Sequence, residues 1–231
     1  MQAMEYATNC PVKAPVEHRF SPYTDNGGTT LGIAGEDFVV LAGDTRNSEG
    51  YSINTRFSPK VHALSNQSVL AIGGMQADSI ALLKRLGQQL EWYRHQHDKS
   101  MSVSALAQLL QVILYGKRFF PYYTWNILGG IDAEGKGALY DYDPVGNYER
   151  VNCACVGSAS ELIQPFLDSQ VDFKNQVNAT KRFLAIEEVI RLVKDAFTSA
   201  TERDIHTGDF LQIVIVRKDG IETQIHDLKR D

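Results

Sequence analysis

The order in which apolar runs of different period follow one another is the strongest constraint on this chain. β-rich runs come first: Thr29 to Ala34, a turn at Gly35-Glu36-Asp37, then Phe38 to Ala42, and later Ser68 to Ile72 ending in Gly73-Gly74. Two such runs about a Gly-containing turn predict a hairpin. Two helical patterns follow with no strand between them. From Asp78 to Arg94, Ser79, Leu82, Leu83, Leu86, Leu90 and Tyr93 keep one face, and after the N-cap Ser102, Leu106, Leu109, Leu110 and Ile113 repeat it. Strands return at Thr124 to Ile131, Gly137 to Asp143 and Tyr148 to Val156, the last two separated by a turn at Pro144-Val145-Gly146-Asn147. Helices from about Ser160 to Leu167 and from Leu184 to Thr201 precede a closing hairpin, Phe210 to Val216 and Ile221 to Asp227. Pairs of helices between groups of strands do not alternate as βαβ units do. The pattern predicts an α+β fold, with antiparallel sheet packed between helical layers.

The chain has 231 residues, enough to bury roughly 70% of its unfolded surface without a covalent staple. No internal repeat or low-complexity linker divides it, so residues 27–231 read as one domain behind an N-terminal extension, residues 1–26, that is open to trimming. That extension is polar and mixed and lacks the apolar core of a signal peptide. No stretch approaches 18 apolar residues, and the net charge is -5 with no long basic run. Neither a membrane nor nucleic acid is therefore an expected partner. Cys10, Cys153 and Cys155 are too few and too odd in number for a disulfide scaffold, which favours a reducing compartment. Cys153 and Cys155 lie two apart on a strand and face one side. As a metal pair they lack further ligands, so they read as small buried hydrophobes. His95, His97 and Asp98 read as a solvated loop between helices. No Gly-rich phosphate loop is present, and no cofactor is expected.

Several strings, in this order, carry a resemblance: Gly27-Gly28-Thr29-Thr30-Leu31, Leu41-Ala42-Gly43-Asp44-Thr45-Arg46, Lys60, Ile72-Gly73-Gly74, Gly157-Ser158-Ala159-Ser160, Glu202-Arg203-Asp204 and Thr207-Gly208-Asp209. Together they resemble the proteasome β family of the N-terminal nucleophile hydrolase fold, from Arg19 onward. Arg118-Phe119-Phe120-Pro121-Tyr122-Tyr123, Gly135-Lys136-Gly137-Ala138, Asp143-Pro144-Val145-Gly146 and Asp172-Phe173-Lys174-Asn175 are similar to a non-catalytic eukaryotic branch of it. The resemblance implies a four-layer αββα sandwich of two antiparallel sheets between helix layers. It also implies a place in an inner ring of a twenty-eight-subunit, four-ring barrel, with other β-type and α-type subunits as partners. Ubiquitin-dependent protein degradation in cytoplasm and nucleus is the setting it suggests.

Active members of the family expose an N-terminal threonine by cutting after a glycine. Its hydroxyl attacks the peptide carbonyl while the free α-amine helps move the proton. In the family pattern an aspartate follows the nucleophile by sixteen residues and a lysine follows it by thirty-two. Counting back from Asp44 and from Lys60 reaches the same position, and Gly28 occupies it. Glycine offers no nucleophile, and losing the nucleophile in a comparable hydrolase costs about a million-fold in turnover, roughly 8 kcal/mol of barrier. No catalytic residue is therefore expected. The alternative is an active N-terminal threonine endopeptidase using Thr29, which also follows a glycine. On a strand, moving by one residue turns the side chain to the other face, so Thr29 would need a bulge at Gly27-Gly28. Asp44, Lys60, Ser158, Asp204 and Thr207 match the remaining shell by resemblance, Thr207 standing where a serine is usual. They read either as a residual catalytic shell or as a buried pair, Asp44–Lys60, that satisfies itself. Without a nucleophile the second reading is preferred.

Two further features bear on partners. Phe119, Phe120, Tyr122, Tyr123 and Trp125 crowd five aromatics around Pro121, more than one strand face buries, so some are expected at a subunit interface. The segment Ile131 to Gly146 is acidic, and pockets in the resembled family are completed by the next subunit around the ring. Asp132, Asp141 and Asp143 are accordingly expected to wall a neighbour's substrate pocket. Any trimming is expected upstream of Gly28, near His18-Arg19-Phe20.

Overall fold

The computed structural model, which describes residues 20–231, is built on β1 (Thr29–Ala34), a strand buried along its whole length. It pairs with β2 (Phe38–Asp44) on one side and β10 (Cys153–Gly157) on the other. β11 (Phe210–Arg217) and β12 (Gly220–Asp227) complete a five-stranded sheet in the order β10-β1-β2-β11-β12. A second sheet has the order β5-β6-β7-β8-β9, from Val61–Ser65, Ser68–Gly74, Thr124–Ile131, Gly137–Tyr142 and Tyr148–Val151. Every ladder is antiparallel. A small hairpin, β3 (Asn47–Glu49) and β4 (Ser52–Thr55), stands apart.

The period-2 alternation of side chains sorts the apolar residues into three layers. Leu31, Ile33, Val40, Ala42, Ile213 and Ile215 pack under α3 (Ser160–Gln170) and α4 (Ile186–Thr201). Their strand neighbours Val39, Leu41, Val214 and Val216 turn the other way, against Val69, Ala71, Ile127 and Leu139 of the second sheet. That sheet's outer face, with Leu70, Ile72, Leu128, Tyr140 and Tyr142, packs under α1 (Gln76–His97) and α2 (Val103–Tyr115). The result is the expected four-layer αββα sandwich. Among the described residues, no helix is long and apolar enough to cross a membrane. Cys10 and the positions just before Phe20 lie outside the described residues.

Two expectations are corrected, and three short strands are added. The polar stretch holding His95 and His97 is the last turn of α1, with His95 Nε2 3.1 Å from Glu91 Oε1 and Asp98 as the left-handed cap. No Gly or Pro breaks the pattern there, and basic residues suit the carbonyl end of a helix. The single strand expected from Tyr148 to Val156 bends at Asn152 and belongs to both sheets. The Asn152 carbonyl accepts the Ala34 amide at 2.8 Å, and its side chain donates to Asp172 at 3.0 Å. These bonds take the place of a β-ladder where the chain crosses. The short strands β3 and β4, mostly polar, and β5, in which apolar and polar residues do not alternate cleanly, were not expected from the sequence.

The β7–β8 hairpin meets the β1–β2 turn at Gly137. A Cβ there would lie 2.3 Å from the Phe38 carbonyl oxygen and 2.7 Å from that of Gly35. Both are backbone atoms that cannot swing aside. Gly137→Ala is expected to lower the unfolding free energy by about 1–3 kcal/mol. This would be read as a lower denaturation midpoint of the full chain, and an unchanged midpoint would mean the contact does not constrain the two sheets.

Candidate functional site

Gly28 precedes β1, directly above the end of β2. Beneath it lies Asp44, wholly buried, whose carboxylate accepts the amides of Thr29 (2.8 Å), Gly208 (3.2 Å) and Arg46 (3.3 Å). Lys60 Nζ stands 3.2 Å from the same carboxylate and also donates to the carbonyls of Asp44 (3.0 Å) and Arg46 (2.7 Å). Burial pushes the Asp44 carboxyl above its ordinary range, against the pull of Lys60 and of the Thr29 and Gly208 amides. The pair lies directly beneath the Gly28 backbone. What the sequence could not show is how closely it approaches Gly28. A Cβ on that residue would lie 2.3 Å from Lys60 Cε, 2.7 Å from Nζ and 2.9 Å from Asp44 Oδ1. Its φ of +82° is a conformation that favours glycine. The space a side chain at position 28 would need is taken by the lysine.

Thr29 points the other way. It shares the face of Leu31 and Ile33, toward α3 and α4, as strand alternation requires. No bulge intervenes: Thr29 pairs with Gly157 in an unbroken ladder. Its hydroxyl has no solvent exposure; it accepts the Ala159 amide at 2.9 Å and lies 2.9 Å from the Thr207 hydroxyl. Neither immediate partner takes up a proton at neutral pH. Ser158 Oγ and Thr207 Oγ1 donate to the same oxygen of Asp204, at 2.5 and 2.6 Å. The Gly28 carbonyl accepts the Ser158 amide at 3.0 Å. The expected shell is thus brought together in two halves about the start of β1. Asp44 and Lys60 lie under Gly28, while Ser158, Asp204 and Thr207 surround the Gly28 carbonyl and the Thr29 hydroxyl.

A second buried ion network beside these halves was not singled out from the sequence. Arg46 Nε bonds Asp209 at 2.8 Å, Arg56 bonds the other Asp209 oxygen at 2.5 Å, and Arg46 Nη1 reaches the Ile205 carbonyl at 2.7 Å. Burial would raise the Asp209 carboxyl, yet Arg46 and Arg56 hold it below the usual range. The network pins the 204–209 turn that carries two members of the shell. Its one signal was membership of Arg46 and Asp209 in the strings that carry the resemblance.

A cavity of about 480 Å³ opens beside Gly28, lined among others by Gly74, Trp125, Asp141, Asp143, Glu149 and Ser158. The acidic segment does not form one row there. Asp132 lies in the β7–β8 turn, at the opposite end of β8 from Asp143. It accepts the amides of Glu134 (3.0 Å) and Lys136 (2.9 Å) and pairs with Arg150 at 2.9 Å. The Lys136 amide is the main influence holding its carboxyl low. Asp143 caps its own turn, accepting from Val145 at 3.0 Å and Asn147 at 2.8 Å. Asp141 differs from both: its Oδ1 is buried without a hydrogen-bond partner, and burial pushes its carboxyl up to about 6.

The aromatic cluster divides. Tyr122 is buried, whereas Phe119 is 98% exposed and Phe120 51%. Phe20 and Tyr23 stack over Phe120 at 6.5 and 5.8 Å between ring centroids. Cys153 and Cys155 are free and buried, and burial pushes the Cys153 thiol up to about 12. Asp168 and Asp172 offer oxygens within 4.8 Å of the Cys153 sulfur and of each other. Lys174 Nζ already bridges them at 3.2 and 3.3 Å, which offsets one of their two negative charges.

The family profile described as Proteasome subunit matches residues 24–216. The chain is 52% identical over 238 aligned positions to a protein of Saccharomyces cerevisiae named proteasome subunit beta type-6, covering 99% of this chain and 98% of that one. It is 49% identical to proteasome subunit beta type-1 of Danio rerio, over the full length of both. The protein of that name in Arabidopsis thaliana is 51% identical over 92% of this chain and 97% of its own.

Asp44 holds four donors in a wholly buried place, so removing its charge leaves Lys60 and three amides poorly matched. Asp44→Asn is expected to cost about 3–5 kcal/mol of stability, measured by denaturant unfolding of the full chain or, where the chain is held in a complex, by the complex's thermal midpoint. A loss below about 1 kcal/mol would mean that the pair behaves as an exposed one.

Proposed function

This chain belongs to the proteasome β-type subunit family, and we propose that within the 20S core particle it is a structural β subunit without a nucleophile. The observation that carries this reading is the filling of the position-28 side-chain space by Lys60, under a glycine at φ +82°. An attacking hydroxyl has neither an atom to come from nor room to stand. The burial of the Thr29 hydroxyl between Ala159 and Thr207 supports the same reading. A substrate carbonyl has no path to a group with no exposed surface. Asp44 and Lys60 then serve as a buried structural pair.

Its partners in this reading are the other β-type and α-type subunits of the four-ring, twenty-eight-subunit barrel. It contributes ring contacts and chamber wall to ubiquitin-dependent protein degradation in cytoplasm and nucleus. The exposed rings of Phe119 and Phe120, at 98% and 51%, supply apolar area suited to such contacts. Obligate interfaces commonly bury about 2,000 Å² or more.

The test is to treat the assembled particle with a covalent inhibitor of N-terminal threonines and measure the intact mass of this chain. It should carry no adduct and should not begin at Thr29, while active neighbours are labelled. An adduct on Thr29, or a chain beginning there, would overturn the reading in favour of an active threonine endopeptidase.

The acidic segment receives a narrower role than its sequence suggested. We assign Asp141, with Asp143 beside it, to the wall of a neighbouring active subunit's pocket, because of the three aspartates Asp141 alone has a buried oxygen left without a partner. Asp141→Asn is expected to change the specificity constant of one peptidase activity about fivefold, the effect of roughly 1 kcal/mol, when peptides with basic and neutral residues upstream of the cut are compared. Asp143→Asn should act more weakly and Asp132→Asn not at all. If no substitution alters any activity by about twofold, the assignment fails.

A further inference from the structure

On the face of the second sheet that looks toward the first, three residues stand side by side across three strands. Ile127 on β7 is opposite Asp141 on β8, and Asp141 is opposite Glu149 on β9. Directly opposed residues of antiparallel strands share a face, with Cβ atoms about 4.5–5.5 Å apart. Asp141 is therefore held between a fully buried isoleucine and a second carboxylate. Asp143, two residues on, is a further negative neighbour, and Cys155 of β10 lines the same two grooves as Asp141. Two grooves meet at Asp141, Glu149 and Cys155, one running past Gly28 and Asp25, the other along β10 toward Lys136, Arg150, Asp168, Asp172 and Lys174. The cations of that groove are engaged elsewhere: Arg150 with Asp132, Lys136 with Glu134, Lys174 with Asp168 and Asp172.

β9 is the edge of its sheet, four residues long, and β8 is its one ladder partner. Like charges placed directly opposite one another weaken a ladder, and a buried ionised carboxylate with no partner is costly. One proton relieves both. We propose that Asp141 and Glu149 form a proton-operated clasp on the edge strand β9: a proton held on Asp141 against Glu149 keeps β9 paired, and its loss loosens β9 and widens the groove beside Gly28.

The direction with pH follows from where the proton is held more tightly. In the closed edge the Asp141 carboxyl is raised from the ordinary 3.8 to about 6. Closing is therefore favoured in acid. Opening grows as the pH rises between those two values and levels off above the higher one. From pH 5 to pH 7.5 the opening equilibrium rises about tenfold.

Hydrogen exchange of the full chain, alone or in its assembled particle, reads this directly. Exchange of the amides of residues 148–151 would be measured at pH 5 and pH 7.5, corrected for the intrinsic chemistry, with the amides of α2 as internal reference. The wild-type edge should open about tenfold more at the higher pH. Asp141→Asn should reduce that change to less than about twofold, and Glu149→Gln should shrink it by removing the opposed charge. A wild-type edge with no pH response beyond that of α2, or a response that survives Asp141→Asn, would overturn the clasp. Glu149 is exposed, so Glu149→Gln decides the matter on its own should Asp141→Asn fail to fold. A full response in Glu149→Gln would then count against the proposal.

Discussion

The carboxylate of Asp44 is the interaction on which the rest of the structure turns. Its four donors come from places far apart in the chain: the first residue of β1, Arg46 just beyond β2, Lys60 before β5, and Gly208 before β11. A buried carboxylate is tolerated only when its lone pairs are met, so these segments are fixed relative to one another. Arg46 then carries the arrangement outward. Its amide serves Asp44 and its carbonyl serves Lys60, while its guanidinium clamps Asp209 and the 205 carbonyl. Two buried ion pairs share one stretch of backbone, and that stretch sets both the floor under Gly28 and the turn bearing Asp204 and Thr207.

That coupling explains why an intact-looking shell and a missing side chain coexist. A void beside a buried ion pair would forfeit contacts on one side, and the lysine stem closes it. Lys60 loses nothing by doing so, because its ammonium keeps the Asp44 carboxylate and two carbonyls as partners. The pair is complete without a hydroxyl above it. Chemistry and stability therefore separate here: Asp44 and Lys60 hold together as structure with no side chain at position 28.

Much of this was legible in the sequence, and the failures share a cause. Long periodic runs such as Thr124 to Ile131 and Leu184 to Thr201 gave their elements within a residue or two, since periodicity records which face is buried. β3 and β4 are three and four residues long and mostly polar, so they have no face to record. The crossing at Asn152 was hidden because alternation continues through it while the hydrogen-bond partners change. The three aspartates were read as one wall because they are close along the chain. β8, six residues long and itself bearing Asp141, lies between Asp132 and Asp143, which at about 3.3 Å per residue is roughly 20 Å. The positions of Ser158, Asp204 and Thr207 came from resemblance alone, since no local pattern says that residues so far apart meet at one carbonyl.

The deepest consequence of the strand geometry lies in the single step from Gly28 to Thr29. The two residues are adjacent, and each carries one face of what an N-terminal hydrolase would combine. Position 28 looks down on a charged pair able to tune a nucleophile but has no atom to offer. Position 29 has the hydroxyl but turns it to the opposite side, where an amide and Thr207 occupy it. Bringing the hydroxyl over the lysine would require slipping β1 by one residue. That slip would send Leu31 and Ile33 from beneath α3 and α4 into the inter-sheet layer, and set Gly32 in their place. Burying a leucine or isoleucine side chain is worth about 1.5–3 kcal/mol each, and both neighbouring ladders would have to slip as well. The helix-facing core of β1 thereby fixes the register, and the register keeps the hydroxyl of Thr29 apart from Asp44 and Lys60.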